Sequence, residues 1–526
     1  MFIKAPCDNR TFSNVRCPAQ SASTGGWILA ATILGSAMPG IDGTAVTVAL
    51  PVLQRDLHAG PDATQWVIEA YSLFVSALIL VGGSLGDRFG RRRMFLLGVL
   101  IFGAASLGCA LSQNITELII ARCVQGVGGA LLVPESLAII TASFDERARG
   151  AAIGTWSGFL AATMAIGPLA GGWLVQTFSW RAIFLINVPI AIIIVVITQR
   201  CVAESRDEDA KGTDWLGGVI ATIALGLLTY GFIALQDARG EPSGIAIVLA
   251  GLALLALFVY VEHHSTEPMI PLGIFTSRDF TVSNVYTLLL YAALGAAFFF
   301  VPFNLINVQH YSPLAAGAAL LPMILLMFVS SRWAGGLVAR IGARMPLTIG
   351  AFVAGCGFLA FGFTGVGGSY WVTFFPAIVL LGIGASTFVA PLTTTVMNSA
   401  PAQHAGSASG INNAVSRVAG LLAIAILGIV IVVSSHHAVQ HTDRTLPPAV
   451  RHVLESNSLF TGRAPDNGIP AHTRPAAEHA AGLAYSVGFR DAMFACALLA
   501  WISAIAAFVF LSGAAHTSKQ TAESFR

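Results

Sequence analysis

The sequence predicts an all-α polytopic membrane protein with the plan of two six-helix halves plus two extra helices, about fourteen transmembrane helices in all. Three observations predict it. Of the 526 residues, 55% are hydrophobic and only 10% are charged, whereas a soluble domain carries about 25% charged residues. The apolar residues are gathered into blocks of about 20, long enough to cross a hydrocarbon layer of roughly 30 Å. One short segment, Gly83 to Arg93, recurs as Gly335 to Met345, which is the mark of a duplicated half.

The blocks read as helices because no water reaches the hydrocarbon layer, so each must close its own backbone hydrogen bonds. Fourteen are expected, at 27–50, 65–86, 94–112, 117–141, 151–174, 180–199, 215–235, 243–262, 281–304, 313–333, 346–366, 371–397, 408–434 and 490–512. The short loops set the orientation, since Lys and Arg collect on the inner side. With the amino terminus inside, Arg88, Arg91, Arg92, Arg93, Arg147, Arg149, Arg200, Arg206, Lys211, Arg278, Arg340 and Arg344 are cytoplasmic. Only Arg55, Arg181 and Arg239 then fall in short outer loops. Both termini are thus expected in the cytoplasm of a cell whose inner membrane holds the chain. Residues 1–26 are a cytoplasmic tail, without the separate short apolar core and cleavage site of a signal peptide.

The recurring segment divides the rest. GSLGDRFGRRR and GGLVARIGARM match at five of eleven positions, including the Arg and Gly at their centre. Each follows an apolar block on the cytoplasmic side. Eight blocks separate them, or six if 215–235 and 243–262 are an insert. The expected divisions are an amino-terminal half at 27–200, a linker with two extra helices at 201–270, and a carboxyl-terminal half at 271–526 with a long outer loop at 435–489. Parallel halves with the substrate site at their interface are a known transporter plan.

Several chemistries are disfavoured. The chain has three lysines, Lys4, Lys211 and Lys519, none after a glycine, so it lacks the GxxxxGK phosphate loop of an ATP-driven pump. The seven cysteines form no CxxC, which argues against a disulfide framework or zinc site. No nucleophile elbow or metal cluster lies in the spans, so neither an enzyme nor a metal centre is expected. The net charge of +2 says nothing for nucleic acid. Half of the histidines, His436, His437, His441, His452, His472 and His479, lie in the outer loop, at spacings that read as a solvated loop. Phe298, Phe299, Phe300 and Phe303 read as lipid or core contacts first and a substrate wall second.

Three ionisable residues lie at similar depth inside the blocks. Asp42, Glu69 and Arg122 each fall about five to seven residues from the outer end of a span, roughly 8–10 Å inside the boundary. A charge there is costly unless paired or wet, and is a functional candidate by default. Two acids and a base at one level could share protons, the arginine holding one acid ionised. The alternative is an ion pair that only staples helices. Glu135, after Pro134 near the inner end of the fourth block, reads as a helix-end residue facing water.

The motifs resemble one family. Gly83-Ser84-Leu85-Gly86-Asp87-Arg88-Phe89-Gly90-Arg91-Arg92-Arg93 is similar to the loop between helices two and three of the major facilitator superfamily. Ile41-Asp42-Gly43-Thr44 with Val48-Ala49-Leu50-Pro51 resembles the first helix of its fourteen-span drug:proton antiporters, the EmrB/QacA type. Arg122-Cys123-Val124-Gln125-Gly126-Val127-Gly128 resembles the fourth-helix arginine motif. Gly154 to Gly172, ending Gly167-Pro168-Leu169-Ala170-Gly171-Gly172, resembles the fifth-helix antiporter motif, and Asn187-Val188-Pro189 follows. The pattern departs at Thr47, where an asparagine is usual, at Ala339, opposite Asp87 in the repeat, and at Glu69, an often neutral position.

The resemblance implies proton-coupled export of drugs or other amphipathic small molecules. Uptake or export of a specific metabolite on the same fold is the alternative. It implies no cofactor, the proton gradient being the energy source. It gives Asp42, Glu69 and Arg122 to proton coupling. Gly83, Asp87, Arg88, Gly90 and Arg91 would form a conformational latch, with Asp87 at the positive amino-terminal end of a helix from the other half; plain positive-inside anchoring is the alternative. Gly154, Gly158, Gly167, Pro168, Gly171 and Gly172 would form a seam of small residues that lets helices close tightly and blocks leak; ordinary packing is the alternative. The implied partners are the substrate, protons and the bilayer, with room on the outer loop for a periplasmic adaptor and no nucleic acid.

Overall fold

The computed structural model describes residues 22–59, 61–206, 215–234, 242–265, 268, 272–442 and 473–512, and among these every regular element is helical. The helices are α1 (Ala22–Asp56), α2 (Pro61–Phe89), α3 (Arg91–Leu111), α4 (Ile115–Ser143), α5 (Glu146–Thr177), α6 (Arg181–Leu185), α7 (Asn187–Cys201), α8 (Trp215–Ala234) and α9 (Pro242–His264). They continue with α10 (Arg278–Phe303), α11 (Pro313–Ala319), α12 (Leu321–Ile341), α13 (Arg344–Phe361), α14 (Tyr370–Ser399), α15 (Ala405–Thr442) and α16 (Arg474–Phe510). Among the described residues, twelve candidate spans are long and apolar enough to cross a membrane. The 32-residue α5 and the shorter α8 fill the two remaining expected positions.

Local chemistry sets the ends. Asn114 accepts from the Glu117 backbone N–H at 2.9 Å, capping α4, and the Glu117 side chain accepts from the Gln113 N–H at 2.8 Å, just before the cap. Asp145 and Ser312 cap α5 and α11 in the same way. The two copies of the repeated segment each end a helix at a glycine. Gly90, with φ 109°, separates α2 from α3, and Gly342, with φ 77°, follows α12. A side chain disfavours such a positive φ, which accounts for the glycine in both copies.

Three boundaries differ from the sequence reading. The span expected at 313–333 is broken after Ala319, and the crossing helix is α12, with Pro322 in its first turn, where its missing N–H costs nothing. The span at 180–199 is interrupted at Ile186, because Pro189, four residues after Leu185, has no N–H to donate to the Leu185 carbonyl. The outer loop expected at 435–489 is shorter at both ends, since α15 runs on to Thr442 and α16 begins at Arg474. These extensions pack on each other through Val439, Ala477, Ala480, Ala481 and Ala484, small side chains that let the helices come close. His436 and His437 lie on α15 and His479 on α16, while His452 and His472 fall outside the described residues.

Helices α1–α7 pack together, as do α10–α16, and the α8–α9 hairpin lies against α2 and touches α15. Two seams join the groups. In one, α2 meets α15 at Gly83, where an added Cβ would overlap the Gly406 carbonyl and lie 3.4 Å from the Gly410 Cα. In the other, α5 meets α12 at Gly150 and Gly335, whose backbones leave no room for a side chain on either glycine. Phe300 is fully buried in the large core while Phe298 and Phe299 pack at its edge.

Candidate functional site

Asp42 on α1 and Arg122 on α4 form an ion pair with both side chains wholly buried. The pair is held by neutral polar groups from two further helices. Gln125, one turn along α4 from Arg122, accepts from Arg122 Nη1 at 2.6 Å and donates to Asp42 Oδ1 at 3.1 Å. Asn187 donates to the same oxygen at 3.0 Å. Ser106 on α3 accepts from both Gln125, at 2.8 Å, and Asn187, at 3.3 Å. Asn187 reaches the cluster because it opens α7 directly after the break at Ile186. The Arg122 Nε donates to the Val67 carbonyl of α2 at 2.9 Å, and its guanidinium lies 4.3 Å from the centre of the Tyr71 ring. Its Nη2 has no hydrogen-bond partner among the described residues. Asp42 therefore receives donors from three side chains, and removing any one changes the field on a carboxylate with no water-facing side.

Glu69 lies at the expected level of α2 but makes none of these hydrogen bonds. Two residues along a helix are turned by about 200°, so Glu69 faces away from Val67, the α2 residue that holds Arg122. Gln125, Asn187 and Ser106 were not singled out from sequence as ligands of Asp42. Their signal was that each is a neutral polar side chain inside an apolar block. Arg417 on α15 is a stronger signal of a related kind, a charged side chain inside an apolar block. It lies within electrostatic range of Tyr71, with no hydrogen bond or ion pair among the described residues.

Glu135 corrects a sequence expectation. It is fully buried, and neither carboxylate oxygen has a hydrogen-bond partner among the described residues. The block expected at 117–141 ends within two residues of α4, at Ser143, so its depth is as the sequence implies; what differs is its direction, into the interior and not toward water. Its carboxyl group fills the space over Gly86, where any side chain would overlap it.

The repeated segment makes a junction between the two groups of helices. Asp87 Oδ1 accepts from the Gly406 N–H at 2.8 Å, and Oδ2 accepts from the N–H and hydroxyl of Ser407 at 2.7 and 3.0 Å. These are orphan donors at the start of α15, where a carboxylate also meets the positive end of the helix dipole. Arg91 donates to Asp87 at 2.8 Å and to the Gln403 carbonyl at 2.9 Å, closing a buried ring. Arg88 reaches the Pro268 carbonyl at 3.0 Å. Glu204 accepts from the Arg92 N–H at 3.1 Å and lies against Gly90, so its carboxyl rests where a Cβ would go.

The glycines of α5 divide into two faces. Gly154 and Gly158 face α12: a Cβ on Gly154 would overlap the Ser331 carbonyl and lie 3.0 Å from the Arg332 Cα, and one on Gly158 would lie 3.2 Å from the Phe328 carbonyl. The Ser331 hydroxyl donates to the Gly154 carbonyl at 2.6 Å. Gly167 and Gly171 face α1 within their own half, against Thr44, Ile41 and Ala45. Pro168 lies between them in α5 and Gly172 is half-buried. Thirteen residues of helix turn the face by about 220°, so one stripe in the sequence serves two different contacts.

Two groups of membrane-spanning helices meet at glycine-lined seams, and the first group holds a buried ion-pair network, which is the plan of a membrane transporter built from two halves. The chain belongs to the Major Facilitator Superfamily, whose sequence profile it matches over residues 32–424. It is 35% identical over 433 residues to "Multidrug resistance protein Stp" of Mycobacterium tuberculosis (strain CDC 1551 / Oshkosh), across 81% of this chain and 80% of that protein. It is 33% identical over 408 residues to the "Tetracenomycin C resistance and export protein" of Streptomyces glaucescens, across 76% and 75%. It is 32% identical over 425 residues to "Puromycin resistance protein pur8" of Streptomyces alboniger, across 78% and 84%. Among solved structures it resembles a double-tryptophan variant of XylE, with a TM-score of 0.62 at 13% identity over 96% of this chain and 99% of that one. The human organic anion transporter MFSD10 follows, with a TM-score of 0.56 at 15% identity over 91% and 100%. At those identities the structures speak for the fold alone.

Proposed function

We propose that this transporter exports amphipathic small molecules, antibiotics among them, in exchange for protons. The observation that carries the reading is the Asp42–Arg122 pair, an acid and a base buried wholly within spans and wired to Gln125 and Asn187. A proton arriving on Asp42 removes the negative partner of Arg122, and the guanidinium must find new acceptors. That couples protonation to the packing of α1, α4 and α7. Asp87 supplies the second half of the cycle, since its contacts with α15 exist only while the two groups of helices are closed at that end. The names of the three relatives given above, each a resistance or export protein, support outward transport of drugs over movement of one metabolite. The energy source is the proton gradient, with no cofactor and no catalytic chemistry on the substrate. The partners are protons, the substrate and the bilayer, with the outer loop available to a periplasmic adaptor. The test is proton release on adding substrate to inverted vesicles, screened over cationic dyes and antibiotics. Substrate uptake without any proton movement overturns the antiport.

Asp87→Asn is expected to slow the alternation of access by about tenfold while substrate affinity stays near its starting value. Asn keeps one acceptor but not the charge, and a charge-assisted hydrogen bond contributes about 1.5–3 kcal/mol. A large loss of affinity at a normal turnover rate is the result that removes the latch.

The reading places the chain in the inner (plasma) membrane with both termini cytoplasmic. Reporter fusions after residues 210 and 526 are expected to read inside, and those near 240 and 460 outside. A carboxyl-terminal fusion that reads outside refutes the even number of crossings.

A further inference from the structure

A shallow groove opens on the outer flank of the α5–α12 seam, lined by Ala151 of α5 and by Val329, Arg332, Trp333, Gly336 and Arg340 of α12. This flank faces lipid. Leu325, Val329 and Trp333, one turn apart along α12, are 59%, 76% and 63% exposed. Arg332, Gly336 and Arg340 form a second row at the same four-residue spacing, beside Val329 and Trp333, and that row runs to the end of the helix. Neither arginine has a hydrogen-bond or ion-pair partner among the described residues.

Arg340 lies in the last turn of α12, where a cation suits a membrane boundary. Arg332 does not fit that account. It lies nine residues before Ile341, about 13 Å along the helix axis. Its side chain reaches the edge of the layer only by running along the groove toward Arg340, as a snorkelling arginine does. A guanidinium on a lipid-facing stripe at that depth is costly unless an anion comes to it. Gly336 leaves the space between the two arginines open, since a Cβ built there meets no atom within 4 Å.

We propose that this groove is a binding site for an anionic phospholipid, its phosphate held between Arg332 and Arg340 and its acyl chains laid along Val329 and Leu325. The groove takes one wall from each group of helices and adjoins the Ser331–Gly154 hydrogen bond, so the site is complete only when the seam is closed.

The test uses the full-length protein in phosphatidylcholine nanodiscs with or without phosphatidylglycerol, read by thermal stability and by native mass spectrometry of retained lipid. Wild type is expected to gain stability with phosphatidylglycerol and to retain one tightly bound copy. Arg332→Gln with Arg340→Gln is expected to weaken that retention about thirtyfold, from a factor of about five for each arginine near the lipid surface. Gly336→Leu fills the groove without changing any charge, in open space where the protein need not move, and is expected to abolish retention. Arg200→Gln, an equal loss of charge at the exposed end of α7, is expected to leave it intact. The proposal is overturned if the double variant or Gly336→Leu retains the lipid as wild type does. It is also overturned if Arg200→Gln loses as much, or if inorganic phosphate gives the same stabilisation.

Discussion

Asp42→Asn is expected to abolish substrate-driven proton movement and uphill export while the protein still folds and inserts. Asn fits the space of Asp42 and can still accept from Gln125 or Asn187 on its remaining oxygen. It cannot neutralise Arg122, which is fully buried and already has one nitrogen without a partner among the described residues. Breaking a buried pair by removing one member typically costs about 3–5 kcal/mol, because the survivor is left as an uncompensated charge. Part of that cost is relieved by the Val67 carbonyl and the Tyr71 ring. The thermal stability of the purified variant should therefore fall measurably, and Arg122→Glu, which sets an acid against Asp42, should fall further. Asp42→Asn combined with Arg122→Gln separates the two roles of the pair. The double variant removes both charges and should recover stability, but it has no titratable site and should not recover coupling. If the single variant exports uphill at the wild-type rate, Asp42 is not the coupling residue. If the double variant recovers coupled export, the pair is only a staple.

Gly154→Leu is expected to stop coupled export by keeping the two groups of helices apart. The Cβ alone would overlap the Ser331 carbonyl and press on the Arg332 Cα, both of them backbone that cannot move aside without moving α12. Overpacking of this kind costs typically 1–3 kcal/mol, and each 1.4 kcal/mol lowers the closed population about tenfold. The variant should reach the membrane and show increased proton leak, together with faster labelling of cysteines placed along the α5–α12 seam. Gly167→Leu acts elsewhere. It displaces α1 at Ile41 and Thr44, on either side of Asp42, so its loss of export should come with lower stability of the amino-terminal half and with an unaltered seam. Ile193→Leu, on an exposed face of α7, should change neither. Normal export and a tight membrane in Gly154→Leu would make the seam mere packing and remove the main structural support for a leak-proof exchange.

The sequence carried the crossing pattern well, because lipid imposes a single local rule. A block of about 20 apolar residues must be a helix, and its depth follows from counting residues inward. That is why Asp42 and Arg122 could be placed at one level before any contact was known. It is also why Gly90 and Gly342, each ending a helix before its partner begins, were visible as one repeated device. Breaks inside a block were less visible. Pro189 and Pro322 mark two of them, but proline is common within membrane helices too, and α14 passes through Pro376 and Pro391 without ending.

By itself, then, the sequence determined which segments cross, how deep each charged residue sits and which family's motifs the chain carries. The tertiary structure decided which way each residue faces. Glu69 and Asp42 share a depth, yet only Asp42 meets Arg122. Gly154 and Gly167 share a stripe, yet one closes on the other half and one on its own. Glu135 lies near the end of an apolar block, yet it is buried over Gly86. Depth accumulates along one helix at a fixed rise per residue, so it can be counted from sequence. The rotation of a helix about its axis is set by all the neighbours it packs against at once, and those neighbours come from distant parts of the chain.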